Sequence, residues 1–331
     1  MAVLQGDERG AVAQAAARLA AGELVAFPTE TVYGLGARAD DDAAVAKVFA
    51  AKGRPGDHPL IVHVPDVDAA RHFAAEWSPL AGRLAAAFWP GPLTLIVPRA
   101  PGIAAAAAGG HATVGLRCPA HPLAHALLVE AARLGVAGVA APSANRFGRV
   151  SPTQAAHVVS EFGDALTVLD GGACRVGIES SIVDVSRGRS VLLRPGVLTR
   201  AQIEAAAGQP VADPDAQAPR ASGTLEAHYA PRARVRLMSA AQLRAALEVL
   251  GRDAGALKLA VYSRSVRPSA ALGGGIRHRP MPADAAAAAQ ELYAVLRELD
   301  DEGRHLIWIE EPPADAAWDG VRDRLRRAAA A

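Results

Sequence analysis

The chain has 331 residues, 51% of them hydrophobic but only 4% aromatic, and 35 Lys and Arg stand against 34 Asp and Glu for a formal charge of +1. That length allows two domains at roughly 150 residues each, and the alanine-heavy composition predicts small-residue helices packed on Val/Leu/Ile strands, not an aromatic-rich sandwich. Near-neutral charge argues against stable binding along a phosphate backbone, and two cysteines without a C-x-x-C pair exclude a disulfide framework or a cysteine zinc site. No apolar run approaches the ~20 residues that span a bilayer, and the opening residues lack the basic and apolar regions of a secretory signal. A soluble, cytoplasmic protein is expected.

Helix and strand patterns alternate throughout, which predicts an α/β fold. Residues 11–21 read as a helix closed by Gly22, and 24–27 as a short buried strand stopped by Pro28. Asp40 is placed to cap a helix over 41–52, which Gly53 terminates before Arg54-Pro55. Strands are expected at 60–64, 93–97, 113–116 and 138–141, with helices over 80–88 and 121–134. Ser151-Pro152 reads as a helix cap with proline at the first helical position. Strands at 166–169, 181–185 and 191–194 and a helix over 199–207 complete a first domain.

Residues 208–222 carry three prolines and no periodicity and read as an interdomain linker. Beyond them the pattern predicts strand 235–238, helix 240–250, strand 257–262, helix 284–299, strand 306–310 and helix 318–329. The poly-alanine runs 104–108 and 285–289 read as loop or helix filler.

Five segments can carry chemistry. In Phe27-Pro28-Thr29-Glu30-Thr31-Val32-Tyr33-Gly34-Leu35-Gly36 a strand gives way to hydroxyls and two glycines, a loop that can bring donors close to a polar ligand or simply make a turn. In Lys52-Gly53-Arg54-Pro55-Gly56-Asp57-His58-Pro59-Leu60 a point charge and a guanidinium fork flank a stiffened loop, a pairing suited to a triphosphate. Complementing the helix C-terminus explains Lys52 alone. Arg117 ends a buried strand and needs an anionic partner, either a structural acid or a substrate carboxylate. Ala141-Pro142-Ser143-Ala144-Asn145, leading to Ser151, clusters small polar groups at a strand end, where open α/β sheets place ligands; a capped turn is the alternative. Gly177-Ile178-Glu179-Ser180-Ser181-Ile182-Val183-Asp184 and Leu193-Arg194-Pro195-Gly196 add hydroxyls and a further arginine. No zinc-protease, nucleophile-elbow, Walker A or dinucleotide motif appears in its proper context, and the ten histidines show no metal-ligand spacing.

Together with Trp89-Pro90-Gly91-Pro92-Leu93-Thr94, these segments resemble, in chain order, the YrdC-like family of L-threonylcarbamoyladenylate synthases. Ser222-Gly223 and His228-Tyr229-Ala230-Pro231 ahead of a small α/β domain resemble the family's long form. The resemblance implies a twisted mixed sheet with helices over residues 1–207, a linker or lid over 208–232, and a smaller Rossmann-like parallel α/β domain over 233–331. It implies that L-threonine, bicarbonate and ATP give threonylcarbamoyl-AMP and pyrophosphate. A transferase complex then passes the threonylcarbamoyl group to an adenosine beside the tRNA anticodon, and this chain itself makes weak or no stable contact with tRNA.

Carried over by position, Lys52, Arg54, His58, Thr113, Ser143, Asn145, Ser151, Arg194, His228 and Tyr229 contact ATP, with Lys52 and Arg54 stabilising charge on the phosphates. Thr31, His63, Arg117, Ala141, Ser180 and Ser181 surround threonine. Mg2+ enters with the nucleotide and not on protein ligands. The chain departs from the family pattern at His58, where many relatives carry asparagine, at Ser222 (proline) and at Thr224 (methionine), which puts the lid's stiffness in question. A carbamoyltransferase working through carbamoyl-AMP and a non-enzymatic RNA-binding module are the alternatives.

Overall fold

Short Val-, Leu- and Ile-rich runs between alanine-rich amphipathic stretches are the pattern of strands covered by helices. The computed structural model describes residues 3–250, 257–269, 272 and 275–331. The first two residues of the expected catalytic domain therefore lie outside the described residues. The chain divides into two units, one running to Phe147 and resuming over Ser151–Thr224, the other made of Gly148–Val150 and Leu225–Ala331.

In the first unit the order is β1 (Val3–Gln5), α1 (Ala11–Ala20), β2 (Val25–Phe27), β3 (Gly34–Arg38), α2 (Asp42–Lys52), β4 (Ile61–His63), α3 (Val67–Phe73), α4 (Pro79–Phe88), β5 (Leu93–Pro98) and β6 (Thr113–Arg117). There follow α5 (Pro122–Arg133), β7 (Val139–Ala140), α6 (Ala155–Phe162), β8 (Thr167–Asp170), β9 (Ser181–Asp184), β10 (Ser190–Arg194), α7 (Arg200–Ala207) and β11 (Val211–Ala212). The strands form one mixed sheet in the order β1-β8-β2-β3-β7-β4-β6-β5-β9-β10-β11. Alternation along β2 sends Val25 and Phe27 to a cluster with Leu19 of α1 and Leu127 of α5. It sends Ala26 to the opposite cluster, with Val45 and Val48 of α2 and Leu84 of α4. Each buried leucine or valine in these layers is worth about 1.5–3 kcal/mol.

Several local expectations need correction. Asp41, not Asp40, caps α2: its carboxylate accepts from Ala43 N at 2.9 Å and Ala44 N at 3.2 Å. Asp40 is held instead by Arg38, at 3.0 and 3.1 Å. Gly34-Leu35-Gly36 is no loop but strand β3, paired antiparallel with β2; a Cβ on Gly36 would meet Val139 at 2.8 Å and Phe27 at 2.9 Å, so the glycine is there for close packing. Ser151-Pro152 opens no helix. Pro152 O accepts from Tyr33 N at 2.9 Å, the Ser151 hydroxyl turns to Glu179, and α6 starts only after Gln154. The expected linker contains β11, parallel to β10. The first poly-alanine run is loop, as expected, with Ala104, Ala107 and Ala108 buried.

The second unit comprises β12 (Arg234–Met238), α8 (Ala240–Leu250), β13 (Leu259–Ser263), β14 (Ile276–Pro280), α9 (Ala285–Asp301), β15 (Leu306–Glu310) and α10 (Asp319–Ala329). Its sheet runs β12-β15-β13-β14 with every neighbouring pair parallel. Leu259, Val261 and Trp308 pack with Leu243 and Leu247 of α8, and the second poly-alanine run is the first turn of α9. Gly148–Val150 joins this unit because Arg149 donates to Asp300 at 3.2 Å and bridges to Ala230. The same Asp300 carboxylate accepts from Arg232 at 3.0 Å and from Ala233 N at 2.9 Å. No helix among the described residues is long and apolar enough to cross a membrane. The cap assignment has a measurable outcome. In urea unfolding, Asp41→Ala is expected to lower stability by about 1 kcal/mol, and Asp40→Ala by less than about 0.5 kcal/mol, as for an exposed pair.

Candidate active site

Period-two alternation places Thr113, Gly115 and Arg117 on one face of β6. The parallel register with β4 pairs Gly115 with Ile61 and Arg117 with His63. A histidine and an arginine distant in sequence therefore stand side by side on a face of the sheet. Arg117 is 3% exposed; its Nη2 donates to Glu30 Oε1 at 2.7 Å and its Nε to Gly91 O at 3.3 Å. Glu30 is fixed in turn, since its other oxygen accepts from Ala120 N at 3.1 Å. The structural partner of Arg117 is thus Glu30, and Nη1 of Arg117 makes no hydrogen bond among the described residues. Beside Glu30, the buried hydroxyls of Thr31 and Thr29 lie 2.9 Å apart, and Thr29 donates to Val32 O at 2.6 Å.

Lys52 closes α2, and Gly53, at φ 64°, turns the chain away. The Lys52 ammonium does more than complement the helix end. It donates to Ser143 O at 2.6 Å and to Asn145 O, while Phe147 N returns to Lys52 O at 2.9 Å. Arg54 donates to Pro59 O at 3.0 Å and to Ser222 Oγ at 3.4 Å. Its guanidinium sits 5.7 Å from the Phe147 ring, which His58 meets edge-on at 5.5 Å.

Antiparallel pairing of β9 and β10 brings Arg194 to the start of β9. There it donates to Ser180 O at 3.0 and 3.1 Å, to Ser180 Oγ at 3.2 Å and to Ser222 O at 2.8 Å. Ser180 Oγ lies 2.8 Å from Thr94 Oγ1, and Ser151 donates to Glu179 at 2.6 Å. The turn after β10 can press against Ser181 only because residue 196 is glycine: a Cβ there would fall 2.5 Å from Ser181 N. The buried Ser181 hydroxyl has no hydrogen-bond partner among the described residues.

Burial dominates the electrostatics. It pushes the Lys52 amine well below its ordinary range, and the charge of Arg54 pushes further, against the opposing pull of Glu161 and Glu179. Burial first and Arg117 second hold His63 down to about 3, so its imidazole is neutral. His58 is lowered by the same pair of causes, with Arg54 as the charge. The free thiols Cys118 and Cys174 are pushed up to about 11 and about 12, again chiefly by burial, which leaves both unreactive near neutral pH.

Contacts thus join Lys52, Ser143, Asn145, Arg54, His58, Arg194 and Ser180, with Ser222 bridging the two arginines and Ser151 attached through Glu179. His63 and Arg117 form a neighbouring group with Glu30, beside Thr31. Ala141 contributes its backbone, donating to Ile61 O at 2.9 Å. Thr113 shares the face of Arg117 but begins the strand that Arg117 ends, about 13 Å along it. His228 and Tyr229 belong to the second unit, where Tyr229 packs 5.3 Å from the Arg324 guanidinium and 5.6 Å from Tyr293. Glu30, Glu179, Phe147 and Ser222 were not singled out as site residues. Glu30 and Glu179 lie within the Phe27–Gly36 and Gly177–Asp184 segments, where the acid beside Thr31 marks Glu30.

Two family profiles cover the chain: Sua5/YciO/YrdC, described as "Telomere recombination", over residues 17–196, and "Threonylcarbamoyl-AMP synthase, C-terminal domain" over residues 198–330. The threonylcarbamoyl-AMP synthase of Pyrococcus abyssi is 36% identical over 319 residues, 93% of this chain and 90% of the relative. The chain belongs to the threonylcarbamoyl-AMP synthase family. The Bacillus subtilis synthase is likewise 36% identical, over 96% of this chain and 92% of its own. A crystal structure of P. abyssi Sua5 complexed with L-threonine superposes with a TM-score of 0.86 at 34% identity, covering 97% of this chain and 95% of that one.

For this member of the synthase family, removing the carboxylate that faces Arg117 should be severe. Glu30→Ala is expected to cost about 3–5 kcal/mol in urea unfolding, because a buried guanidinium loses its partner. His63 provides a test by pH. Its folded value near 3 lies below the ordinary 6.5, so protons favour the unfolded chain, and stability present above about pH 6.5 drains as pH falls toward 3. The slope from this one group is at most ~1.4 kcal/mol per pH unit, and His63→Gln should flatten it between about pH 6.5 and 5.

Proposed function

We propose that this chain is a threonylcarbamoyl-AMP synthase whose first unit binds ATP and L-threonine and joins them through a carbamate. The observation that carries the reading is the set of buried cations within one unit, linked through shared partners. Lys52, Arg54 and Arg194 are all buried, and Ser222 touches both arginines. A triphosphate suits such a set. The unspent Nη1 of Arg117 suits a carboxylate, with the neutral His63 beside it, and the P. abyssi relative's complex with L-threonine supports an amino-acid substrate.

The threonine amine condenses with bicarbonate, releasing water and leaving a carbamate. A carbamate oxygen then attacks the α-phosphorus of ATP, the bond to the β-phosphate oxygen breaks, and pyrophosphate departs. Holding the two reactants in register can lower the barrier by ~7–11 kcal/mol. Lys52 and Arg54 stabilise charge that builds on the phosphate oxygens, in a site where water does not weaken the interaction. Ser180 and Ser181, one on each side of the β9 start, line the amino-acid end.

Among the described residues no three His, Cys, Asp or Glu side chains converge as a metal cage. Mg2+ brought in with the nucleotide, held by phosphate oxygens and water, would offset phosphate charge. The product is passed in the cytoplasm to a transferase complex that modifies the adenosine beside the tRNA anticodon.

Incubation with ATP, labelled bicarbonate and each amino acid in turn should yield a labelled adenylate with threonine alone. Pyrophosphate release that depends on carbamoyl phosphate instead would favour the carbamoyltransferase reading. Lys52→Ala and Arg54→Ala should each lower threonine-dependent pyrophosphate release about 100-fold or more while the circular dichroism spectrum stays native. Near-normal turnover in either variant would remove the phosphate assignment.

A further inference from the structure

Open parallel sheets bind ligands outside the carboxyl ends of their strands, where neighbouring strands send their following chain in opposite directions. In the second unit that place lies between β13 and β15. The chain leaving β13 crosses to β14 on one side, and the chain leaving β15 turns into α10, which packs on β12 at the other edge. There the residues that follow β13 aim three consecutive amides inward: Arg264 N, Ser265 N and Val266 N donate at 2.8, 2.7 and 3.2 Å to a single oxygen. Ser265 Oγ donates at 2.6 Å to the other oxygen of the same group, and Arg264 Nη2 stands 3.6 Å from it. Successive amides, a hydroxyl and a guanidinium converging in this way form a phosphate cradle. What fills it is the carboxylate of Glu310, the last residue of β15, only 1% exposed.

We infer that the carboxyl-end crevice of the second unit is an anion site of the phosphate class that the chain occupies with its own Glu310. No nucleotide phosphate can enter while that side chain is in place, so the unit carries no nucleotide in this crevice. The anion is tethered to the strand it closes, and a free phosphate would have to displace both carboxylate oxygens from donors they already satisfy. The surroundings hold the cradle in shape independently of its occupant. The Arg264 guanidinium lies 5.8 Å from the Trp318 ring, and Ser263 Oγ, fixed by Val266 O, meets His278 Nε2 at 3.0 Å. Although burial alone would raise it, the Glu310 carboxyl is held below its ordinary value by the Ser265 hydroxyl and the three amides, in keeping with donors arranged for negative charge.

The experiment uses the full chain and radiolabelled inorganic phosphate in equilibrium dialysis at constant ionic strength. Phosphate bound by the first unit is common to both proteins, so the readout is the difference from wild type. Glu310→Ala is expected to bind about one more equivalent than wild type, whereas Glu310→Gln, which still fills the space, binds no more. A folded Glu310→Ala chain without extra phosphate overturns the inference, as does extra phosphate in Glu310→Gln. Should Glu310→Ala not fold in chloride, refolding is repeated in phosphate at equal ionic strength: recovery there supports the site, and failure in both salts overturns it.

Discussion

Positive charge held out of water is the constraint on which the first unit depends. Lys52, Arg54, Arg117 and Arg194 are all buried, and a buried charge without compensation is strongly unfavourable. The fold compensates them unequally. Arg117 receives a carboxylate, Glu30, itself pinned by a backbone amide. Lys52 receives two carbonyl oxygens and makes no ion pair among the described residues. Carbonyl dipoles satisfy hydrogen bonds but leave the net charge standing, and burial, with the charge of Arg54, holds the Lys52 amine well below its ordinary range.

That constraint accounts for much of the local architecture. The segment after β7 folds back so that Ser143 and Asn145 can offer their carbonyls to the end of α2. The turn at Gly196 lies hard against Ser181, which keeps Arg194 at the start of β9. Even the segment that reads as a linker contributes, because Ser222 offers its carbonyl to Arg194 and its hydroxyl to Arg54. Ala218 and Ala221 pack beside Ile61, Ile96 and Ile182, so this stretch is part of the first unit's packing as well as a connection.

Local signals carried most of the elements. Thr199 and Gln202 form a reciprocal capping box at α7, and Gly53 sits in the left-handed turn expected of a helix stop. Failures occurred where a local rule had two readings. Asp40 read as the cap of α2, but Arg38 holds its carboxylate and the cap falls one residue later, on Asp41. Gly-Leu-Gly looked like a loop because glycine disfavours strands, yet close approach of Phe27 and Val139 demands it. In the 276–280 strand, charged residues hid an edge position. Site residue types were legible in the motifs, but their partners were not. The pairing of His63 with Arg117, and of Arg117 with Glu30, depends on strand register, which no single segment encodes.

The two units solve opposite electrostatic problems. In the first, Lys52 is met by two carbonyl oxygens and Arg117 by the carboxylate of Glu30. In the second, backbone amides that would receive an anion are closed by a carboxylate of the same chain. Total charge conceals this difference. A formal value of +1 over 331 residues bears on solubility and long-range attraction, whereas the local field around Lys52, Arg54, Arg117 and Arg194 is set by their burial. A weakly charged chain can therefore hold a strongly charged site. The sequence marked those cations by their positions beside glycine and proline turns at element ends, where a long side chain can be buried without disrupting a helix or strand.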